Sequence, residues 1–385
     1  MRAAAAATLL FMIAPGAFPA AAPGVIDLKR PDTGAAVTVL ATIGGGEPLE
    51  WGGTRLAGGD INGDGIADLV IASPGGAEDR PSRRGRLYVK FGSVAPLGPS
   101  LDRTLHRLRT PPGTPAAFTS GADVIVEGWD DFDHLGRALA VADIDADGFA
   151  DIIAGAPRAD GPGNARPDCG EVYVIHGAST LPRVIELSAG PAPGVRVNII
   201  MGRAPGDALG SSLEVADVNG DGALDVVAGA PLAAGMVGAL GAINVGEVFV
   251  LSGGQAMPAL IDLAAPPAGA VISELRGADP GDQVGSAVAV GDFDGDSVAD
   301  LAIGARGGDG PGNRRPDAGE VYLVFGARTI SRLILLGMQS EAFIAPAGIG
   351  DGGGGSLAFG DVNGDGRADL AIGAPIPVDV TKGKT

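Results

Sequence analysis

Five short turns in this 385-residue chain repeat acidic and amide side chains at one spacing. Positions 1, 3, 5 and 9 of the first are Asp60, Asn62, Asp64 and Asp68. The second turn has Asp143, Asp145, Asp147 and Asp151 there, and the third Asp217, Asn219, Asp221 and Asp225. Asp292, Asp294, Asp296 and Asp300 follow in the fourth, and Asp361, Asn363, Asp365 and Asp369 in the fifth. Hard oxygen donors so spaced suit Ca2+, which takes roughly six to eight oxygens in flexible geometry, with a backbone carbonyl expected from position 7. Gly at position 6 in four of the five turns lets the chain adopt a positive φ and fold the acids onto one point; the fourth turn has Ser297 there. One such turn would be explained by loop conformation alone. Five with oxygen donors at the same four positions predict up to five bound Ca2+.

An EF-hand would begin in the same way, but it needs a bidentate Glu at position 12 and a helix on each side. Here position 12 is Ile71, Ala154, Ala228, Ile303 and Ile372, always apolar. The residues that follow are rich in β-branched types and end in Gly-Ala-Pro or a close variant, which favours a short buried strand and opposes a helix. The turn therefore joins two strands, and the ninth-position Asp takes the place of the missing Glu.

The strands expected around each turn recur with it, at intervals of roughly 70 to 80 residues, the mark of a repeat architecture. Before the turns lie stretches 54–59, 136–142, 210–216, 285–291 and 355–360, in which larger and small residues alternate with the period of a strand. After the Gly-Ala-Pro end come a variable loop and a third strand: GRLYVKFG from Gly85, GEVYVIHG from Gly170, GEVFVLSG from Gly246 and GEVYLVFG from Gly319. A short segment follows (184–187, 260–263), then a fourth strand such as 195–201 or 270–275. Four strands per repeat with hairpin-like loops predict an all-β chain of β-propeller blades, four-stranded and antiparallel.

Leu135-Gly136, Leu209-Gly210 and Val284-Gly285 before the turns, with Gly-Ala-Pro after them, make the unit resemble the FG-GAP repeat of integrin α subunits and bacterial exported proteins. The likeness covers nearly the whole chain past residue 22. Trp51-Gly52, Gly354-Gly355, Arg306 and Ser297 depart from the pattern. It implies a propeller, commonly of seven blades, with calcium in the hairpin turns of one face. Carried over by position, it adds the carbonyls of Ile66, Phe149, Ala223, Val298 and Arg367 to the ligands named above.

Residues 1–22 read as a secretory signal peptide: Met1-Arg2, an apolar run with Leu9 to Ile13, and small residues to Ala22. Residues 23–385 form the propeller, and the expected location is secreted, extracellular or at the cell surface, with the periplasm as an alternative. Val25–Leu28 and 35–43 look like the last pieces of a blade whose first strands lie elsewhere in the chain. The sequence ends at Lys382-Gly383-Lys384-Thr385, where the fifth repeat should begin its third strand, so the expectation is a chain truncated from a larger ring.

The net charge of −19 has its largest source in the turns, which hold 17 of the 46 acidic residues. Five bound Ca2+ would bring it to about −9. No basic stripe offers phosphate neutralisation, which argues against nucleic acid. No segment is long enough for a membrane span. Cys169 is the single cysteine and forms no internal disulfide. His106, His134 and His176 lie in unrelated contexts and read as strand-end or loop residues, and no G-x-S-x-G, H-E-x-x-H or P-loop occurs. The expected function is non-catalytic: an adhesion or recognition scaffold for a protein or carbohydrate. Its contact face would be the loops away from the calcium turns, 80–86, 128–134, 158–168, 277–283, 306–317 and the region of Trp51, where Arg, Asp and both Trp gather. The alternatives are the frame of a larger exported enzyme, a hydrolase or lyase, and a structural part of a surface protein.

Overall fold

A computed structural model describes residues 54–75, 84–92, 122–190, 193–234, 244–327, 333–336, 342–344 and 350–374. The signal-peptide segment, Val25–Leu28, residues 35–43, Trp51, His106 and the C-terminal Lys382 to Thr385 lie outside them. The first repeat supplies β1 (Arg55–Gly59), β2 (Asp68–Ser73), β3 (Arg86–Lys90) and β4 (Val124–Glu127). The second supplies β5 (Ala138–Ala142), β6 (Asp151–Ala156), β7 (Glu171–Ile175), β8 (Val184–Glu186) and β9 (Val197–Met201). The third runs through β10 (Ser212–Ala216), β11 (Asp225–Ala230), β12 (Glu247–Ser252), β13 (Leu260–Asp262) and β14 (Ile272–Arg276). The fourth has β15 (Val284–Gly291), β16 (Asp300–Ala305), β17 (Glu320–Val324), β18 (Leu333–Leu335) and β19 (Ala342–Ile344), and the fifth β20 (Ser356–Gly360) and β21 (Asp369–Gly373).

The fold is all-β, and each repeat is a blade. In the second, β5, β6, β7 and β9 pair antiparallel in that order. The blades differ from the expected four strands in one respect. The short segment after the third strand does not join its own blade. Instead β8 pairs in parallel with β4 of the blade before it, β13 with β9, and β18 with β14. The first three sheets are thus five-stranded, each with its outer edge covered by a strand from the next repeat. An uncovered edge exposes a row of unpaired backbone groups, and this exchange removes it.

The second strands of the second, third and fourth blades are buried on both faces, which is why β6, β11 and β16 are apolar after their leading Asp rather than alternating. Successive side chains still serve different neighbours. Ile152 and Ala154 pack with Val70, Leu87 and Val126 of the first blade, whereas Ile153 between them packs with Val226, Ala228 and Phe249 of the third. The same division recurs between the third and fourth blades and between the fourth and fifth.

Close approach of backbones at the blade edges explains the glycines of the motif. A Cβ at Gly155 would lie 2.1 Å from the Gly210 carbonyl oxygen, and one at Gly304 would lie 2.0 Å from that of Gly354. Gly170 bridges to Leu209 of the next repeat with φ +80°, and a Cβ there would meet the Leu209 amide nitrogen at 2.2 Å. Only glycine meets both demands.

Candidate metal centre

Each acidic turn links the innermost strand of a blade to its second strand, so all five occupy equivalent places. The turns are also tied laterally. The amide at position 8 of one donates to the position 1 carbonyl of the turn before it: Ala150 to Asp60 at 2.8 Å, Ala299 to Asp217 at 3.2 Å and Ala368 to Asp292 at 2.9 Å.

Within a turn the carboxylates first organise the backbone. Asp60 accepts the amides of Asp64 (3.0 Å) and Gly65 (2.7 Å), Asn62 accepts that of Asp64 (2.9 Å), and Asp64 accepts that of Ile66 (2.9 Å). The pattern repeats with Asp143 and Asp147, with Asp217, Asn219 and Asp221, with Asp292, Asp294 and Asp296, and with Asp361, Asn363 and Asp365. Position 6 is left-handed as expected, and Ser297 adopts it at φ 72° without the freedom of glycine. Position 4 is left-handed in every turn as well, including Ala146 at φ 56°. The sequence reading missed this second requirement, although Gly63, Gly220, Gly295 and Gly364 signalled it.

The ninth-position Asp is an anchor, buried in the first four turns and partly buried in the fifth. Asp68 takes the Ile61 amide at 2.9 Å on one oxygen and the Gly92 amide at 2.8 Å on the other, so it ties the turn to the end of β3. Asp151 does the same with Ile144 and Gly177, and Asp300 with Phe293 and Gly326. Asp225 receives Val218 and the side-chain amide of Asn219, and Asp369 receives Val362. Burial raises the pKa of Asp68 and Asp300 against these amide bonds, and raises that of Asp225 to about 6. Neighbouring carboxylates push the same way, and a bound cation would act against both.

The donor set fits one. Oxygens of Asp143, Asp145 and Asp147 lie within 4.8 Å of one another, and so do those of Asp292, Asp294 and Asp296. These groups could hold a divalent ion.

The second turn holds a residue that sequence reasoning set aside. His176, at the end of β7, is 5% exposed, and its Nδ1 lies 3.1 Å from Asp151 Oδ1 and 3.6 Å from Asp145 Oδ2. Burial works against its charge, but bonds to Asp151 and Asn198 prevail and raise the ring above the ordinary histidine pKa. The signal in the sequence was positional: His176 stands where the other complete third strands end in Phe91, Ser252 and Phe325.

At the other end of the blades lie the loops between second and third strands and those between blades. They interlock: Gly206 donates to the Pro167 carbonyl at 2.9 Å and Ala208 to that of Asp168 at 3.1 Å, and Gly350 and Gly352 do the same to Pro316 and Asp317. Trp129 (37% exposed) and Phe132 (47%) stand out from this rim beside Asp130, Asp131 and Asp133. His134 sits here, half-buried at a positive φ, and burial lowers its pKa. Cys169 is a free, fully buried thiol whose pKa burial pushes up to about 12, so it is inert.

A family model described as "FG-GAP repeat" matches residues 52–89, 135–175, 209–243, 284–324 and 353–381. The chain is 31% identical to human phosphatidylinositol-glycan-specific phospholipase D, over 48% of this chain and 19% of that protein. The bovine phospholipase is 35% identical over the same shares. Integrin alpha pat-2 of Caenorhabditis elegans is 30% identical over 63% of this chain and 18% of its own length. The chain therefore spans about a fifth of the length of these relatives. No helix among the described residues is long and apolar enough to cross a membrane.

Proposed function

Because this chain belongs to the FG-GAP repeat family, with five repeats folded as propeller blades, we propose that it is a secreted, calcium-braced scaffold that recognises a protein or a glycan without catalysing a reaction. The observation that carries the calcium is the convergence of three carboxylates within 4.8 Å in the second and fourth turns, above a buried ninth-position Asp. Calcium would be held by the side chains at positions 1, 3, 5 and 9 and the carbonyl at position 7 of each turn. At a free concentration tenfold above Kd each ion adds about 1.4 kcal/mol, and five together about 7. That is comparable with the roughly 5 to 15 kcal/mol that holds a domain together. Its role is accordingly structural.

Recognition falls to the opposite rim. The turns are committed to bracing the blades, whereas Trp129 and Phe132 present aromatic surface on loops fixed by a rigid frame. Secretion is supported by the apolar leader of the sequence and fits a millimolar calcium supply. A second reading, the frame of a larger exported enzyme, is favoured by the relatives named phosphatidylinositol-glycan-specific phospholipase D.

Thermal unfolding in 2 mM CaCl2 against EDTA, paired with binding to a panel of immobilised glycans and matrix proteins, tests the account. The midpoint should fall by several degrees in EDTA, and Trp129→Ala should weaken any binding found about tenfold or more without moving the midpoint. An unchanged midpoint would contradict the calcium role, and retained binding by Trp129→Ala would contradict the rim.

A further inference from the structure

The second turn differs from the other four in a concerted way. Asp145 stands at its third position, where three of the other turns have Asn62, Asn219 and Asn363. His176 replaces Phe91, Ser252 and Phe325, and Asn198 pairs with Val174 where the first and third blades pair Val89 with Val124 and Val250 with Ser273. A carboxylate, an imidazole and an amide thus meet in one repeat, a combination that the first, third and fourth repeats do not have.

Their arrangement fixes the imidazole. Asn198 donates its amide to the carbonyls of Met257 (3.1 Å) and Pro258 (2.9 Å), so its Oδ1 faces His176 Nε2 at 2.5 Å and takes the proton there. Nδ1 is left to face Asp145 and Asp151. A ring nitrogen oriented by a hydrogen bond from its partner nitrogen is the usual state of a metal-ligating histidine.

Asp145 supplies an independent sign. It is 3% exposed, its Oδ1 has no hydrogen-bond partner, and its Oδ2 meets only charged or chargeable groups. Its charge contacts are His176 Nδ1 at 3.6 Å and the guanidinium of Arg196, which presses against Oδ2 and also lies 2.6 Å from His176 Nδ1. Arg196 is half exposed and reaches in from solvent. A buried carboxylate so poor in donors is costly unless a positive charge meets it. Ligand atoms of Asp145, Asp151 and His176 all lie within 4.8 Å of one another.

We propose that the second turn takes, in place of the calcium assigned to it above, a first-row transition dication of the zinc class, bound by His176 Nδ1 and the carboxylates of Asp145 and Asp151, with Arg196 moving out as the ion enters. That leaves four turns for calcium. Imidazole nitrogen favours zinc, cobalt, nickel and copper, whereas calcium prefers oxygen throughout. Arg196 is the stand-in countercharge when the ion is absent. The assignment does not require that the other turns hold calcium.

The test is Co2+ titration of the intact chain in 2 mM CaCl2, followed by visible d–d absorption and by calorimetry, with Zn2+ as competitor. One equivalent of Co2+ should bind, give nitrogen-ligand absorption and be displaced by Zn2+ but not by calcium. His176→Phe, which installs the residue of the first and fourth repeats, should lose that equivalent. Arg196→Ala should bind Co2+ about tenfold more tightly, because a charged competitor is gone. Absence of Co2+ binding in the calcium-loaded parent, or an unchanged equivalent in folded His176→Phe, would overturn the assignment. Should His176→Phe not fold, an unaltered or weakened Co2+ affinity in Arg196→Ala would overturn it instead. Calcium binding by the remaining turns is read separately, in the calcium titration without Co2+, so failure here is distinguishable from failure of the calcium scaffold.

Discussion

Asp133 and Asp282 occupy matching places on the rim away from the metal turns, each nearly inaccessible to solvent. Burial raises both to about 7, and nearby acids add to it: Glu171, Asp130 and Asp160 around the first, Glu320, Asp279 and Asp309 around the second. The folded pKa lies above the unfolded value, so their contribution to stability is fully present below about pH 4 and lost as pH rises through about 7. Asp133→Asn and Asp282→Asn should together leave the protein more stable than the parent at pH 8, on the order of 1 to 3 kcal/mol each, and equal at pH 4. Urea unfolding at the two pH values checks it; parallel profiles for parent and double variant would rule it out. The adjoining glutamates are held differently. Glu171 and Glu320 accept the hydroxyls of Tyr173 and Tyr322, whereas Glu247, whose neighbour is Phe249, pairs with Arg203 and Arg276. The GEVYV and GEVFV strands were legible as strands, but this exchange of Tyr for two Arg was not, because both Arg come from elements distant in sequence.

At the scale of the element, strand positions and turn positions were readable because period-two alternation and a fixed oxygen spacing both leave local marks. The expected inner strands and third strands agree with β1, β5, β10, β15, β20 and β3, β7, β12, β17 to within two residues at either end. What local pattern could not give was the destination of the short segments at β8, β13 and β18. Which edge they join is decided by the blade before them, not by their own residues. The glycine of Gly-Ala-Pro is likewise explained by its neighbour. Gly155→Ala would place a methyl against the backbone of Gly210, with no side chain able to yield, so the third blade must shift. The expected loss is about 2 to 4 kcal/mol in urea unfolding. A variant as stable as the parent would show that the blades do not approach so closely.

Over the whole molecule, the first turn is hydrogen-bonded through its backbone to the second, the third to the fourth and the fourth to the fifth. Ordering one by an ion thereby favours order in its neighbour, and calcium should act on the blades together, through charges that otherwise repel. On the opposite rim, the loop that carries Trp129 and Phe132 is tied to the frame at its two ends, where Gly128 donates to the Gly85 carbonyl and Leu135 to that of Arg84. The most direct measurement of the account is calcium stoichiometry by calorimetry on the parent and on Asp217→Ala, which removes the leading ligand of the third turn. The account predicts several equivalents in the parent, one fewer in Asp217→Ala, and a lower unfolding midpoint in calcium for the variant. A parent that binds no calcium at millimolar concentration, or a variant that binds as many ions as the parent, would contradict it.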